Sequence, residues 1–172
     1  MASLIDTLTE VLNNENSEYQ KLLELSNKKS EIIVKADLDA LTQLTDKEQE
    51  IVTRITALET KRTKTMAQIA KVLNTDVTEL KLDVLISLLK KTPREQKELA
   101  EVHDRLHTTL HEMRLINERN GELLKSALEM VDFNMNIIQS ARKAPETANY
   151  NRGAYSAGMS LGSVSGGFDA KQ

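Results

Sequence analysis

The chain has 172 residues, enough for one domain with a real core, and a formal charge of −3 in which both signs are interspersed. That balance excludes nucleic acid as the main partner, and the absence of cysteine excludes disulfides and thiolate sites while suiting a reducing cytosol. With aromatics at only 3% and no tryptophan, the composition fits helices whose seams are filled by Leu, Ile, Val and Met better than an aromatic-centred globular core.

At the N-terminus, Met1-Ala2-Ser3-Leu4-Ile5-Asp6 has neither the basic region nor the apolar run of a signal peptide. No apolar run approaches the length of a membrane span, so a cytoplasmic protein without membrane insertion is expected. Ser3 is the expected N-cap of a first helix, with Asp6 three residues on. Leu4, Leu8, Val11, Glu15, Tyr19, Leu22, Ser26 and Ile33 make its stripe, broadened by Leu12, Leu23 and Leu25. The pattern falters at Lys35-Ala36, and Asp37 is placed to cap a new helix at Leu38. A turn or sharp bend is expected there, with a continuous helix as the alternative because no Gly or Pro enforces a break.

The second helix carries the cleanest repeat: Leu41, Leu44, Glu48, Ile51, Ile55, Leu58, Arg62, Met66, Ile69 and Val72. Glu48 and Arg62 occupy seam positions, so each is expected to meet a group on a neighbouring helix or to snorkel. Asn74 is the expected left-handed C-cap. A short helix over about 83–91 then leads to Thr92-Pro93-Arg94-Glu95, read as a capping box with proline at the first helical position.

From Thr92 to about Arg142 the apolar positions Leu99, Val102, Leu106, Leu110, Met113 and Ile116 recur at spacings of three and four. Asn120, Leu124, Ala127, Val131 and Ile138 continue them. The seam predicts a helix about 50 residues or about 75 Å long, held by packing rather than by its own turns. Its second half is apolar on two sides: Met130, Phe133 and Ile137 lie roughly 100° around from Leu124, Val131 and Ile138. Such a helix has two neighbours in its own fold, or one neighbour and one partner. Beyond it, residues 144–172 hold five of the six glycines and no period, and are expected to form a flexible tail in which Tyr150 and Tyr155 stand out.

The expected fold is therefore all-α: a long antiparallel helical bundle or coiled coil over residues 1–143, with helices at about 3–35, 37–74, 83–91 and 92–142, and the tail at 144–172. Catalytic and metal-binding patterns are thin. His103, His107 and His111 progress around the helix, with no His-Glu-x-x-His or Glu-x-x-His, and no glycine-rich phosphate loop is present. No enzyme, metal or cofactor is expected. A membrane-surface helix is disfavoured because the polar faces mix Glu with Lys and lack Trp.

Ile116-Asn117-Glu118-Arg119-Asn120-Gly121-Glu122-Leu123-Leu124 resembles the N-x-x-N-G-x-L-L signature of the FlgN-type flagellar export chaperones. Glu48-Gln49, Leu58-Glu59 with Arg62, and Asn149-Tyr150-Asn151-Arg152-Gly153 match that family in order, so the resemblance runs to about Gly153. It implies a cytosolic chaperone that binds C-terminal helical segments of hook–filament junction proteins and delivers them to the export gate and ATPase complex. The client surface would involve Asn117, Asn120, Gly121, Leu123, Leu124, Leu128, Met130, Val131 and Phe133. Tyr150 and Gly153 would dock to the export gate. A structural coiled-coil rod without clients explains the heptads equally well, but not the tail tyrosine or the second apolar stripe.

Overall fold

Residue patterning and helix ends account for the architecture of the chain, whose computed structural model describes residues 2–143. Its elements are α1 (Ala2–Lys35), α2 (Leu38–Leu73), α3 (Leu82–Leu88), a single 3-10 turn (Leu89–Lys91) and α4 (Pro93–Lys143), with no strand among the described residues. The chain divides into two compact units, Met1–Ala127 and Leu128–Gln172, so the division falls inside α4 rather than at its end.

In the first unit α1 and α2 run antiparallel. Their cross-links close toward the connecting turn: Glu15 to Arg62, Tyr19 to Glu59, and then Ser26 and Lys29 to Glu48. α4 runs parallel to α1, because Asn13–Arg105, Asn16–Thr109 and Ser30–Asn120 keep a nearly constant sequence offset of 92, 93 and 90 residues. One end of this three-helix arrangement is wholly apolar. Ile5, Leu8 and Leu12 pack there with Ile69, Ala70, Leu99, Val102 and Leu106, closed over by Leu80, Leu85 and Leu89 from the segment between α2 and α4. The other end alternates apolar residues (Ile33, Leu44, Ile51, Ile55, Met113, Ile116) with buried polar ones.

Helix termini explain the connections. Ala36 adopts a left-handed conformation (φ 53°), and the Ala36 and Asp37 amides return to the Ile33 and Ile32 carbonyls. Asp37 then caps α2, its Oδ1 accepting from the Ala40 amide at 3.0 Å. The break is thus a turn, made without glycine. Asn74 ends α2 in the left-handed conformation (φ 54°), as the sequence indicates. Alanine is poorly suited to that region, at a penalty of about 1–2 kcal/mol. Ala36→Gly is therefore expected to stabilise the fold by up to about 1 kcal/mol, once glycine's larger unfolded-state entropy is subtracted. A urea midpoint that falls instead would contradict this account of the turn.

Two expected caps differ. α1 begins at Ala2, so Ser3 lies inside it, its carbonyl accepting from the Thr7 hydroxyl. The Thr92 amide is already bound to the Leu89 carbonyl at 2.9 Å, so Glu95 has no free donor to reach and the capping box does not form. The Thr92 hydroxyl also donates to Leu89, while the Gln96 side chain donates to the Ile86 carbonyl and ties α4 to α3.

Candidate binding surface

Along α4 the buried residues are Leu99, Val102, Leu106, Thr109, Met113, Ile116 and Asn120. Thr109 takes the place expected for Leu110: it is 5% exposed and Leu110 39%. The Thr109 hydroxyl lies 2.7 Å from Asn16 Oδ1, which satisfies a polar group that burial would otherwise penalise. Asn120, 4% exposed, accepts from the Ser30 hydroxyl at 2.6 Å and donates to the Ser26 carbonyl at 2.8 Å. Its side chain is consumed inside the bundle, so it fixes the register of α4 on α1 and offers no surface to a client. Neighbouring Asn117 is exposed, and a Cβ at Gly121 would meet nothing within 4 Å in this chain, so the glycine serves no close approach here.

The remaining candidate residues form a gradient. Leu123 is half-buried and Leu124 lies at the edge of exposure. From Leu128 to Lys143 every described residue is exposed, although Leu128, Met130, Val131, Phe133, Met135, Ile137 and Ile138 all fall in that stretch. Met135, Ile137 and Ile138 thus join the surface that sequence reasoning centred on residues up to Phe133. Tyr150 and Gly153 lie outside the described residues, as does the whole expected tail.

An exposed stretch carrying seven large apolar side chains among polar ones thus follows the three-helix unit in sequence. The family described as FlgN protein matches residues 1–156. The chain belongs to the FlgN family. It matches no curated protein and no solved structure. FlgN membership carries the role of a flagellar export chaperone that binds flagellar export substrates, and the family is not an enzymatic one. No described helix of this FlgN chain is long and apolar enough to cross a membrane.

The two charged seam residues of the FlgN chain's α2 do meet neighbours. Lys29 Nζ lies 2.6 Å from Glu48 Oε2, and Arg62 Nη1 lies 2.9 Å from Glu15 Oε2. Glu15 is fully buried, and its Oε1 has no partner among the described residues. Burial pushes the Glu15 carboxyl above its ordinary range, the Arg62 guanidinium opposes this, and the nearby Glu59 carboxylate adds to it. Tyr19, which donates to Glu59 Oε1 at 3.2 Å, is raised by its own burial and then by that carboxylate. His103 sits 3.3 Å from Asp83 and 3.2 Å from Asp104, an exposed arrangement tying α4 to α3.

Glu15 gives this FlgN chain a signed pH dependence. A carboxyl whose folded pKa is raised stabilises fully below its unfolded value and loses that contribution as pH climbs through the folded value. The window opens near the ordinary 4.5 and extends upward. Glu15→Gln, which mimics the protonated form, is expected to gain stability relative to the parent as pH rises through that window. Urea midpoints of the two proteins across it check this; a gap that stays constant with pH would show that the Arg62 pairing cancels the effect of burial.

Proposed function

We propose that this chain is a cytosolic chaperone for hook–filament junction proteins, whose C-terminal helical segments it binds, keeps soluble and delivers to the export gate and ATPase complex. The observation that carries the reading is the exposed apolar surface of Leu128–Lys143, where the large apolar side chains named above are 47–67% exposed. Segments that become coiled coils only after assembly carry apolar stripes beforehand, and such stripes aggregate unless covered. A helix with an open apolar face covers them by side-by-side packing, and Met130 and Met135 let one surface accept more than one client. Leu123, Leu124, Leu128, Met130, Val131 and Phe133 form the proposed client contact, with Asn117 and Gly121 at its exposed edge. Asn120 is left out because its bonds are internal.

The test is to add C-terminal segments of junction proteins to the purified chain. A chaperone gains stability on addition, whereas a structural rod self-associates tightly and ignores them. Docking at the export gate is assigned to Tyr150 and Gly153, which lie in sequence beyond the proposed client contact. Tyr150→Ala is expected to leave folding and client affinity unchanged while reducing secretion of the junction proteins. Normal secretion would end the docking assignment, and lost client affinity would move the client site into the tail.

A further inference from the structure

α2 meets the rest of the first unit through a seam that includes Leu44, Ile51, Ile55 and Ile69. On the opposite side of the helix lies a strip about 100° wide that carries no charged residue from Leu38 to Ala67. Thr42, Thr45, Thr53, Thr56, Thr60 and Thr63 all fall on it and are exposed, as are Leu38, Gln49 and Val52. Each of those threonine hydroxyls donates to the carbonyl four residues earlier, at 2.8–3.0 Å. A hydroxyl satisfied within its own helix leaves the methyl as the group that threonine offers to a neighbour. Helix propensity does not account for the choice, since Ala, Glu or Lys would each serve an exposed helical position better. The strip is thus weakly apolar and open to close packing, where hydropathy alone shows a polar surface.

One edge of the strip carries charge that is divided by sign along the helix. Asp39, Asp46 and Glu50 flank its first half, and Lys61, Lys64 and Lys71 its second. All of these are exposed, and none makes an ion pair among the described residues. On the other edge, Glu48 and Glu59 are already engaged by Lys29 and Tyr19. We propose that this face is where two copies of the chain associate, with their α2 helices antiparallel about a two-fold axis level with residue 55. Like edges meet in an antiparallel pair, so that axis sets Asp39 opposite Lys71, Asp46 opposite Lys64 and Glu50 opposite Lys61, each pairing occurring twice. The same axis lays strip on strip, with Gln49 opposite Thr60 and Thr53 opposite Thr56. A parallel pair instead brings the acidic halves together. The strip is about 45 Å long and, at a helix width of about 10 Å, offers roughly 450 Å² per copy, below the roughly 800 Å² of a standard interface. Association is therefore weak and steered by charge, unlike the tight self-association of a rod. It shares no residue with the proposed client contact.

The test is sedimentation equilibrium of the full chain, with circular dichroism to verify that each variant stays folded. The parent is expected to dimerise reversibly, and raising salt from about 0.05 M to about 0.5 M should weaken the dimer by screening its exposed charges. Reversing one half of the edge, by Lys61→Glu with Lys64→Glu or by Asp46→Lys with Glu50→Lys, should weaken self-association roughly tenfold or more through like-charge contacts. Mixing the two reversed proteins should restore association as a heterodimer, since one edge is then mostly acidic and the other mostly basic. The absence of cysteine lets single variants report orientation: Thr56→Cys, near the axis, should form a disulfide between copies, and Thr42→Cys should not. A parent chain that stays monomeric at roughly millimolar concentration and low salt would overturn the proposal. A dimer that survives both reversals would overturn it as well, placing the contact on another face. So would a mixture that associates no more tightly than its components, or a Thr42→Cys chain that crosslinks to itself as a parallel pair does.

Discussion

Ile55→Ala is expected to destabilise the chain by about 2–5 kcal/mol, the range for deleting a buried aliphatic side chain and leaving a cavity. Ile55 is 5% exposed on α2, one turn from Ile51, in the half of the first unit where apolar layers alternate with polar ones. The neighbouring seam residues Ile51 and Leu58 are flanked two turns out by Glu48 and Arg62, which are held by Lys29 and Glu15. Against a total stability of about 5–15 kcal/mol, such a loss is a large fraction. Client affinity per folded molecule should stay unchanged, since Leu44, Ile51 and Ile55 are buried and Leu58 half-buried on α2, outside the proposed client contact. Urea unfolding alongside titration with client peptide checks both halves. A still-stable Ile55→Ala chain with selectively lost binding would move the client surface onto α2.

Much of this arrangement is legible in the residue pattern because helix seams depend on a period that local sequence carries. The α2 stripe identifies Leu44, Ile51, Ile55 and Ile69, all buried, and even its charged members find the neighbouring partners that their positions require. The misses along the seams share one cause. Hydropathy favours Leu110 over Thr109 and Val72 over Thr65, yet both threonines are buried and both apolar residues are exposed. Thr65 satisfies its hydroxyl on the Lys61 carbonyl, and Thr109 meets Asn16, a partner 93 residues away that no local window contains. Asn120 is the same case: its pairing with Ser30 and Ser26 withdraws it from any external surface. The capping box at Thr92 fails for a different reason, since the amide it was to satisfy is taken by the preceding turn. The last α4 turns differ from the pattern's reading: two apolar sides call for two neighbours, or one neighbour and one partner, whereas every described residue from Leu128 to Lys143 is exposed.

Met130→Asp is expected to reduce client affinity by more than tenfold while leaving the free chain as helical as before. Met130 is 67% exposed, so the free protein has little packing to lose there, and a lone aspartate in a long helix has a propensity penalty of only about 0.7 kcal/mol. In the proposed complex the same position would face an apolar client helix. The loss of one fully buried large side chain amounts to about 1.5–3 kcal/mol, and a carboxylate without a partner adds its own desolvation penalty. Phe133→Ala removes a 63% exposed ring and introduces no charge, so its effect should be smaller than that of Met130→Asp but in the same direction. The pair separates lost contact area from introduced charge: equal effects would mean that the aspartate remains hydrated at the rim of the interface. Isothermal titration with the client segment and circular dichroism of each free variant give the two readouts. If Met130→Asp unfolds the free chain, its side chain belongs to an internal core, and the proposed client face on Leu128–Lys143 is wrong.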